Sequence, residues 1–378
     1  MPTVAEFAAY LERFAPCATS ADWDNVGLLL GDSTAPVSRV MTCLTVTPDV
    51  VEEAVRDGAN LIVSHHPILF RGAKKLTSAT PDGQVILPLV RAGIAMYSPH
   101  TAFDNCAGGI NDGLCRRLGI ANAVPLRPRE ARRQCKLVAF VPDADLQKVS
   151  DALFAAGAGV IGQYRECSFR LAGTGTFFGT DSTNPTVGEK GRREDVPEWR
   201  LEVVVPESLV SVAVAALRKA HSYEEPAFDV YPLKPTTGGG EGRIGELEQP
   251  TTLGELAKRA KASLSANAVQ FVGEATRAVR TVAVACGAAG EFLADSIKRK
   301  ADVFLTGEVR FHDALTARGA NVALILPGHY ATERPAVEDL AAQLAADWPG
   351  VVAWASRSER DPLEIADCRL PIEAATRR

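Results

Sequence analysis

The spacing of apolar and polar positions changes period repeatedly along the chain, and each change predicts an element. RVMTCLTVT (Arg39–Thr47) is rich in β-branched residues and bounded by turn formers, the pattern of a strand. In PDVVEEAVRDG the apolar residues recur at helical spacing behind Pro48 and stop at Gly58, which are helix start and stop signals. NLIVS (Asn60–Ser64) is a short, largely apolar strand of the kind buried in a parallel sheet. VILPLVRAG and IAMYS repeat helix then strand up to Ser98. The last third follows the same grammar. RTVAVACG, ADVFLTG, NVALILPG and VVAWAS read as strands, separated by the helices EFLADSIKRK, DALTARG and ERPAVEDLAAQLAA. Such alternation implies parallel βαβ units with a sheet covered on both faces.

The two halves match beyond their element order. ANLIVSHH aligns without a gap with ADVFLTGE, setting Gly307 opposite His65 and Glu308 opposite His66. SPHTAFD (Ser98–Asp104) aligns with PGHYATE (Pro327–Glu333), each a strand end followed by His, three residues and a carboxylate. A quasi-two-fold repeat would bring both tips to one shared site. Between the halves, CKLVAFVP and EWRLEVVVP are strands, and DLQKVSDALFAAGAG and ESLVSVAVAALRKAH are helices. That order is the ferredoxin-like pattern. Asp181–Asp195 reads as a loop and PTTGGGEGR (Pro235–Arg243) as a Gly-rich linker. The expected architecture is a duplicated α/β domain with mainly parallel sheets. Its halves are residues 1–125 and 241–378, interrupted by an α+β insertion over 126–240.

Composition narrows the partners. A chain of 378 residues has room for two or three domains, and 46% hydrophobic with 23% charged residues is ordinary for a globular protein. A net charge of −5 and 6% aromatics argue against nucleic acid as a partner. No run of roughly 18 apolar residues predicts a membrane span. The eight cysteines are scattered without a CxxC pair. MPTVAEFAAYLERFAP reads as a short amphipathic helix, without the basic start and apolar run of a signal peptide. The expectation is a reduced, cytoplasmic protein.

Six histidines are present, and four fall where strands are predicted to end. His65 and His66 follow LIVS and precede Pro67, which places both at the carboxyl edge of a sheet, where ligands bind in open parallel sheets. His100 and Asp104 form a second tip, and His329 and Glu333 a third. Taken singly these are weak signals, because Asp also caps turns and Glu333 suits the first turn of a helix. Pro335 suggests Thr332 or a neighbour as that helix's N-cap. If the turn is helical, His329 and Glu333 share a face. Together these imidazoles and carboxylates exceed the needs of one tetrahedral metal. Two metals sharing a bridging carboxylate is the economical arrangement, and the donors suit Zn, Mn, Fe, Co or Ni.

The segments DWDNVGLLLGD, LIVSHHPILF, SPHTAFDNCAGGINDGL, FLTGEVRFHDA and GHYATE occur in that order, and together they resemble the GTP cyclohydrolase 1 type 2 homologue family of dinuclear-metal-centre proteins. The resemblance implies two divalent metal ions held by His65, His66, Asp104, His329 and Glu333 in a toroidal homohexamer, a trimer of dimers. His100 would stand beside the metals and move a proton, and Glu308 would not be a ligand. Thr45 occupies a position where many members have Asp, a departure that bears on a contact beside the metals and leaves the metal set intact. GTGTFFGT, NPTVGEKG and HSYEEPAFDVYPL give the middle segment a PII/CutA-like resemblance; such domains trimerise in other proteins. His221 and Glu224 are read there as orienting a loop or interface. The activity implied is metal-dependent hydrolysis of a nucleotide-like small molecule. The alternative is a non-catalytic hexameric metal-binding scaffold, metal carrier or regulatory protein.

Overall fold

The structure, a computed structural model, describes residues 1–129, 133–162, 164–234 and 239–365. Along the first part run α1 (Val4–Phe14), β1 (Gly27–Leu30), β2 (Arg39–Cys43), α2 (Pro48–Arg56) and β3 (Leu61–Ser64). They are followed by α3 (Pro81–Ala92), β4 (Ala95–Ser98), α4 (His100–Asn105), α5 (Ile110–Leu118) and β5 (Ile120–Pro128). The middle part holds β6 (Gln134–Val141), α6 (Leu146–Ala155), β7 (Ser168–Phe178), β8 (Arg193–Pro206), α7 (Val210–Ala220) and β9 (Phe228–Pro232). The last part begins with β10 (Gly240–Thr252), α8 (Leu253–Ser263), β11 (Gln270–Val272), β12 (Ala278–Ala285) and α9 (Leu293–Lys298). It ends with β13 (Val303–Thr306), α10 (Phe311–Gly319), β14 (Ala323–Leu326), α11 (His329–Asp347) and β15 (Val352–Ala355). Contacts divide the chain into two compact units, one formed by Met1–Pro128 with the chain from Gly239, the other by Arg129–Gly238.

In the first unit one sheet has the order β1-β4-β3-β2-β15 and the other β11-β14-β13-β12-β10-β5. The strands β2, β3 and β4 are parallel, as are β12, β13 and β14, and each trio has an antiparallel neighbour, β1 or β11, at one edge. The duplicated pattern is therefore real, but the halves are interleaved. β5 follows the first trio in sequence and joins the second sheet, while β15 follows the second trio and joins the first. β10, which re-enters after the middle part, lies antiparallel between β12 and β5. The Gly-rich stretch expected to be a linker divides accordingly: Pro235–Gly238 lies outside the described residues, and Gly240–Arg243 is already strand.

Strand residues alternate between two cores, as the pleat requires. Val40, Leu61, Val63 and Tyr97 face the core that Val282, Val284, Leu305 and Ile325 also enter from the second sheet, together with α1, α5, α8 and α11. Met41, Ile62 and Met96 face outward to α2 and α3, and Ala283, Phe304 and Leu324 to α9 and α10. Five layers result, with one apolar core shared by both sheets. The second unit is a four-stranded antiparallel sheet of order β7-β8-β6-β9 with α6 and α7 packed on it, in the element order β-α-β-β-α-β.

The returning end of the chain is tied down by a buried carboxylate. Glu53 of α2, fully buried, accepts hydrogen bonds from Ser356 Oγ at 2.7 Å, Arg357 N at 2.9 Å, Ser358 N at 2.8 Å and Trp354 Nε1 at 3.2 Å. Burial opposes its ionisation, yet these donors hold its pKa down to about 2 from 4.5. A depressed carboxyl pKa adds stability that is complete above the unfolded value and fades as pH falls through 4.5 toward about 2. The shift corresponds to about 3 kcal/mol. Glu53→Gln is accordingly expected to unfold at lower urea than the parent at pH 7, with the difference shrinking steadily as pH falls below 5. Equal stabilities at pH 7 would contradict this account of how β15 is held.

Candidate metal centre

The carboxyl ends of the two parallel trios carry the site. β3 ends at Ser64, so His65 and His66 stand immediately beyond it. β4 ends at Ser98, and α4 begins at His100, bringing Asp104 round within the same short helix. β14 ends at Leu326; α11 begins at His329 with Gly328 before it, so His329 and Glu333 share a helical face one turn apart. Thr332 is thus inside the helix and not its cap, and Pro335 is tolerated within it. The Thr332 hydroxyl instead donates to His329 O at 2.8 Å and accepts from Gly287 N at 3.0 Å, locking the helix start to the end of β12.

All six expected side chains meet here. Glu333 is only 3% exposed and lies at the centre. Its Oε2 is 3.2 Å from His66 Nε2 and 3.1 Å from His329 Nε2, while its Oε1 is 3.7 Å from His65 Nε2. His65 Nε2 is also 3.7 Å from Asp104 Oδ1. The carboxylate therefore faces two donor sets, His66 with His329 on one oxygen, and His65 with Asp104 on the other. His100 brings a ring nitrogen within 4.8 Å of nitrogens on His65 and His66.

Three imidazoles are oriented from behind. Thr45 Oγ1 is 2.7 Å from His66 Nδ1, Glu308 Oε1 is 3.0 Å from His329 Nδ1, and Asp24 Oδ1 is 2.7 Å from His100 Nδ1. An oxygen on Nδ1 fixes the ring and leaves Nε2 for the centre, the usual support for a metal-ligating His. Thr45, where an Asp was the familiar alternative, still makes that contact through its hydroxyl. Glu308 acts on a ligand candidate rather than as one. Cys286 Sγ lies 3.0 Å from Asp104 Oδ1. Glycine is required at two neighbouring positions: a Cβ on Gly287 would collide with Glu333 Oε1, and one on Gly307 would come within 2.7 Å of the Gly287 carbonyl and His329 Cα. The position equivalent to His65 in the second half can carry no side chain for this reason.

The electrostatics are those of a site short of positive charge. His65, whose burial alone would favour the neutral ring, is pushed up by Glu333 and Asp104. The Glu333 carboxylate beside it raises His329 to about 9, against the effect of burial. His66 is pushed down, chiefly by burial. Burial raises Asp104, whereas Glu333, despite its burial, is held well below the usual carboxylate range by His65, His329 and His66. His65 Nδ1 and Nε2, His329 Nε2 and Glu333 Oε2 are buried without a hydrogen-bond partner of proper geometry. Several converging, buried, unsatisfied N and O atoms are costly unless something cationic satisfies them. The donor chemistry fits divalent transition metals.

Sequence reasoning assigned no role to Asp24, Trp23 or Phe70. Asp24 accepts from the backbone N of Thr101 at 3.2 Å as well as facing His100, and those partners hold its pKa at about 2 although burial alone would raise it. Trp23 and Phe70, 63% and 47% exposed, have ring centroids 6.1 and 6.3 Å from that of His100. All three lie in motif segments, but nothing in their spacing says that they reach His100.

Fold and site together define a duplicated α/β protein with a buried His and carboxylate cluster of metal-ligand character at the ends of its parallel strands. The chain belongs to the Duf34/NIF3 (NGG1p interacting factor 3) family, whose signature matches residues 2–362. It is 38% identical over 322 residues to the GTP cyclohydrolase 1 type 2 homolog of Halalkalibacterium halodurans, covering 84% of this chain and 86% of that one. Its identity to the Bacillus subtilis protein of the same name is 37% over 321 residues, 85% and 86% of the two chains. Among solved structures, a Bacillus cereus protein related to NIF3 superposes with a TM-score of 0.71 at 35% identity, covering 97% of this chain and 99% of that one.

Because both donor sets use Glu333, Glu333→Ala is expected to lower metal content more than His65→Ala, which belongs to one set. Elemental analysis of the purified proteins reads this directly. A variant without Glu333 that keeps the parent's full metal content would reject the shared-carboxylate geometry.

Proposed function

We propose that this protein is a metal-dependent hydrolase acting on a nucleotide-like small molecule at a dinuclear centre. One ion would be held by His65, Asp104 and Glu333, the other by His66, His329 and Glu333. The observation that carries the reading is the division of Glu333 between two donor sets. Bound divalent ions supply Lewis acidity and make water more acidic. The rest is done by the chain. Asp24, ionised at neutral pH, holds His100 Nδ1–H and directs Nε2 into the site. From there Nε2 takes the proton of the attacking water and returns it to the leaving group. His100 has φ 31°, an unfavourable value for a residue with a Cβ, and its bond to Asp24 helps to hold it there. The exposed rings of Trp23 and Phe70 offer a face on which a planar base can stack. The names of the curated relatives point to GTP as the first substrate to try.

Metal-loaded protein should be assayed against GTP and a panel of nucleotides and phosphoesters. Turnover on at least one is expected, with His100→Ala losing on the order of 100-fold or more while retaining its metal. Inactivity across the panel at full metal occupancy would sink the hydrolase reading. The toroidal homohexamer implied by the family resemblance belongs to the same proposal. Light scattering should give six times the chain mass, and a monomer or dimer at working concentration would reject it. The seven described cysteines are all free, which supports a reducing, cytoplasmic setting.

A further inference from the structure

Three motif segments left unused by the metal centre meet in the second unit. Gly173–Thr180 supplies the end of β7, Asn184–Gly191 part of the loop before β8, and His221–Leu233 the turn after α7. Together they line most of a cavity of about 530 Å3, within the roughly 300–1,000 Å3 typical of small-molecule sites. Its walls carry the rings of Phe140, Phe177 and Tyr223 and the carboxylates of Glu198, Glu224 and Glu225, with no Lys, Arg or His among the lining residues.

Hydrogen bonds build the rim. His221, 7% exposed, accepts from Tyr223 N at 3.0 Å through Nδ1, so its Nε2 donates to Phe140 O, also at 3.0 Å. Glu224 accepts from Asn184 N at 3.0 Å, and the Thr186 hydroxyl donates to Ser222 O at 2.9 Å, fastening the two loops to each other. These bonds account for His221 and Glu224 as loop-orienting residues. Glu225 pairs with Arg218 at 3.4 Å. Two polar groups have no such duty toward the loops. The Tyr223 hydroxyl is out of solvent and faces the Glu198 carboxylate. Glu198 itself has no Lys, Arg or His beside it among the lining residues. Its carboxylate lies over Gly175 on the neighbouring strand.

We propose that this cavity binds a small organic cation, an amine on a planar or apolar body, with its ammonium against Glu198 and the Tyr223 hydroxyl. A carboxylate such as Glu198, with no base beside it, repels phosphates and nucleotides, while aromatic faces attract a cation. A buried hydroxyl oxygen with free lone pairs accepts from an ammonium N–H. The body of the ligand then lies among Phe140, Phe177 and the Tyr223 ring.

The test uses the full-length protein, titrated calorimetrically with phenethylamine as the probe. Saturable binding is expected, and phenylacetate, with the same ring and the opposite charge, is expected not to displace it. Inorganic phosphate should not displace it either; any binding of these anions at the metal centre is told apart by that lack of competition. Glu198→Gln, nearly isosteric, should weaken the amine at least tenfold with the melting temperature and metal content unchanged. Tyr223→Phe should weaken it several-fold and serves in its place if Glu198→Gln fails to fold. No binding of phenethylamine, its displacement by either anion, or parental affinity in both variants would overturn the proposal.

Discussion

The centre of the molecule depends on one side chain, the buried carboxylate of Glu333. Burying a carboxylate is expensive unless opposite charge and hydrogen-bond donors come with it. Here three imidazoles reach it from two different strand ends, two of them on a single oxygen. That demand shapes the neighbourhood: the turn after β12 needs Gly287, the position after β13 needs Gly307, and α11 begins as early as His329 so that the carboxylate comes round one turn later. The protein alone leaves several of these atoms unsatisfied, and they form a donor set that could hold a metal ion.

Interleaving makes such a site stable. Had each half folded into its own sheet and core, the two sets of strand ends could have moved apart. Instead β5 and β15 are exchanged between the sheets, and one apolar core is closed by both. The exchanged end is anchored on α2 by Glu53. A few residues further on, Glu359, buried to 6%, accepts from Leu44 N at 2.9 Å and Thr45 N at 2.6 Å. Thr45 in turn supports His66. A segment distant in sequence thereby helps to set the direction of a ring in the site, through polar contacts of a few ångströms each.

Much of this was legible in the sequence because periodicity and strand ends are local signals. The parallel trios, the helices between them and the four histidines at strand termini all follow from spacing within about ten residues. What was not legible depends on distant partners. The exchange of β5 and β15 leaves no mark on a local pattern, since an edge strand reads alike in either sheet. Pro335 argued for a later helix start, but the free end of α11 was decided by Gly328 and by the Thr332 bridge to Gly287. Asp24 was hidden for the same reason: its partner is 76 residues away.

Duplication supplied two tips of the same form, His100 with Asp104 and His329 with Glu333, yet their surroundings differ. Glu333 sits among three imidazoles that hold its charge, whereas burial dominates Asp104 and raises its pKa. His329 is backed by Glu308 from the adjacent strand end and packs its Nε2 onto Glu333. His100 is backed by Asp24, which comes from before β1 and lies outside the repeated strand-end segments. Pairs of like groups whose environments push them apart are how one fold assigns different tasks to equivalent residues. The second tip, with its carboxylate committed to both donor sets, suits holding ions. The first, with its imidazole held on an ionised aspartate beside two exposed rings, suits handling a proton at a bound substrate. In the hydrolase proposed above, that broken symmetry separates holding the ions from moving the proton.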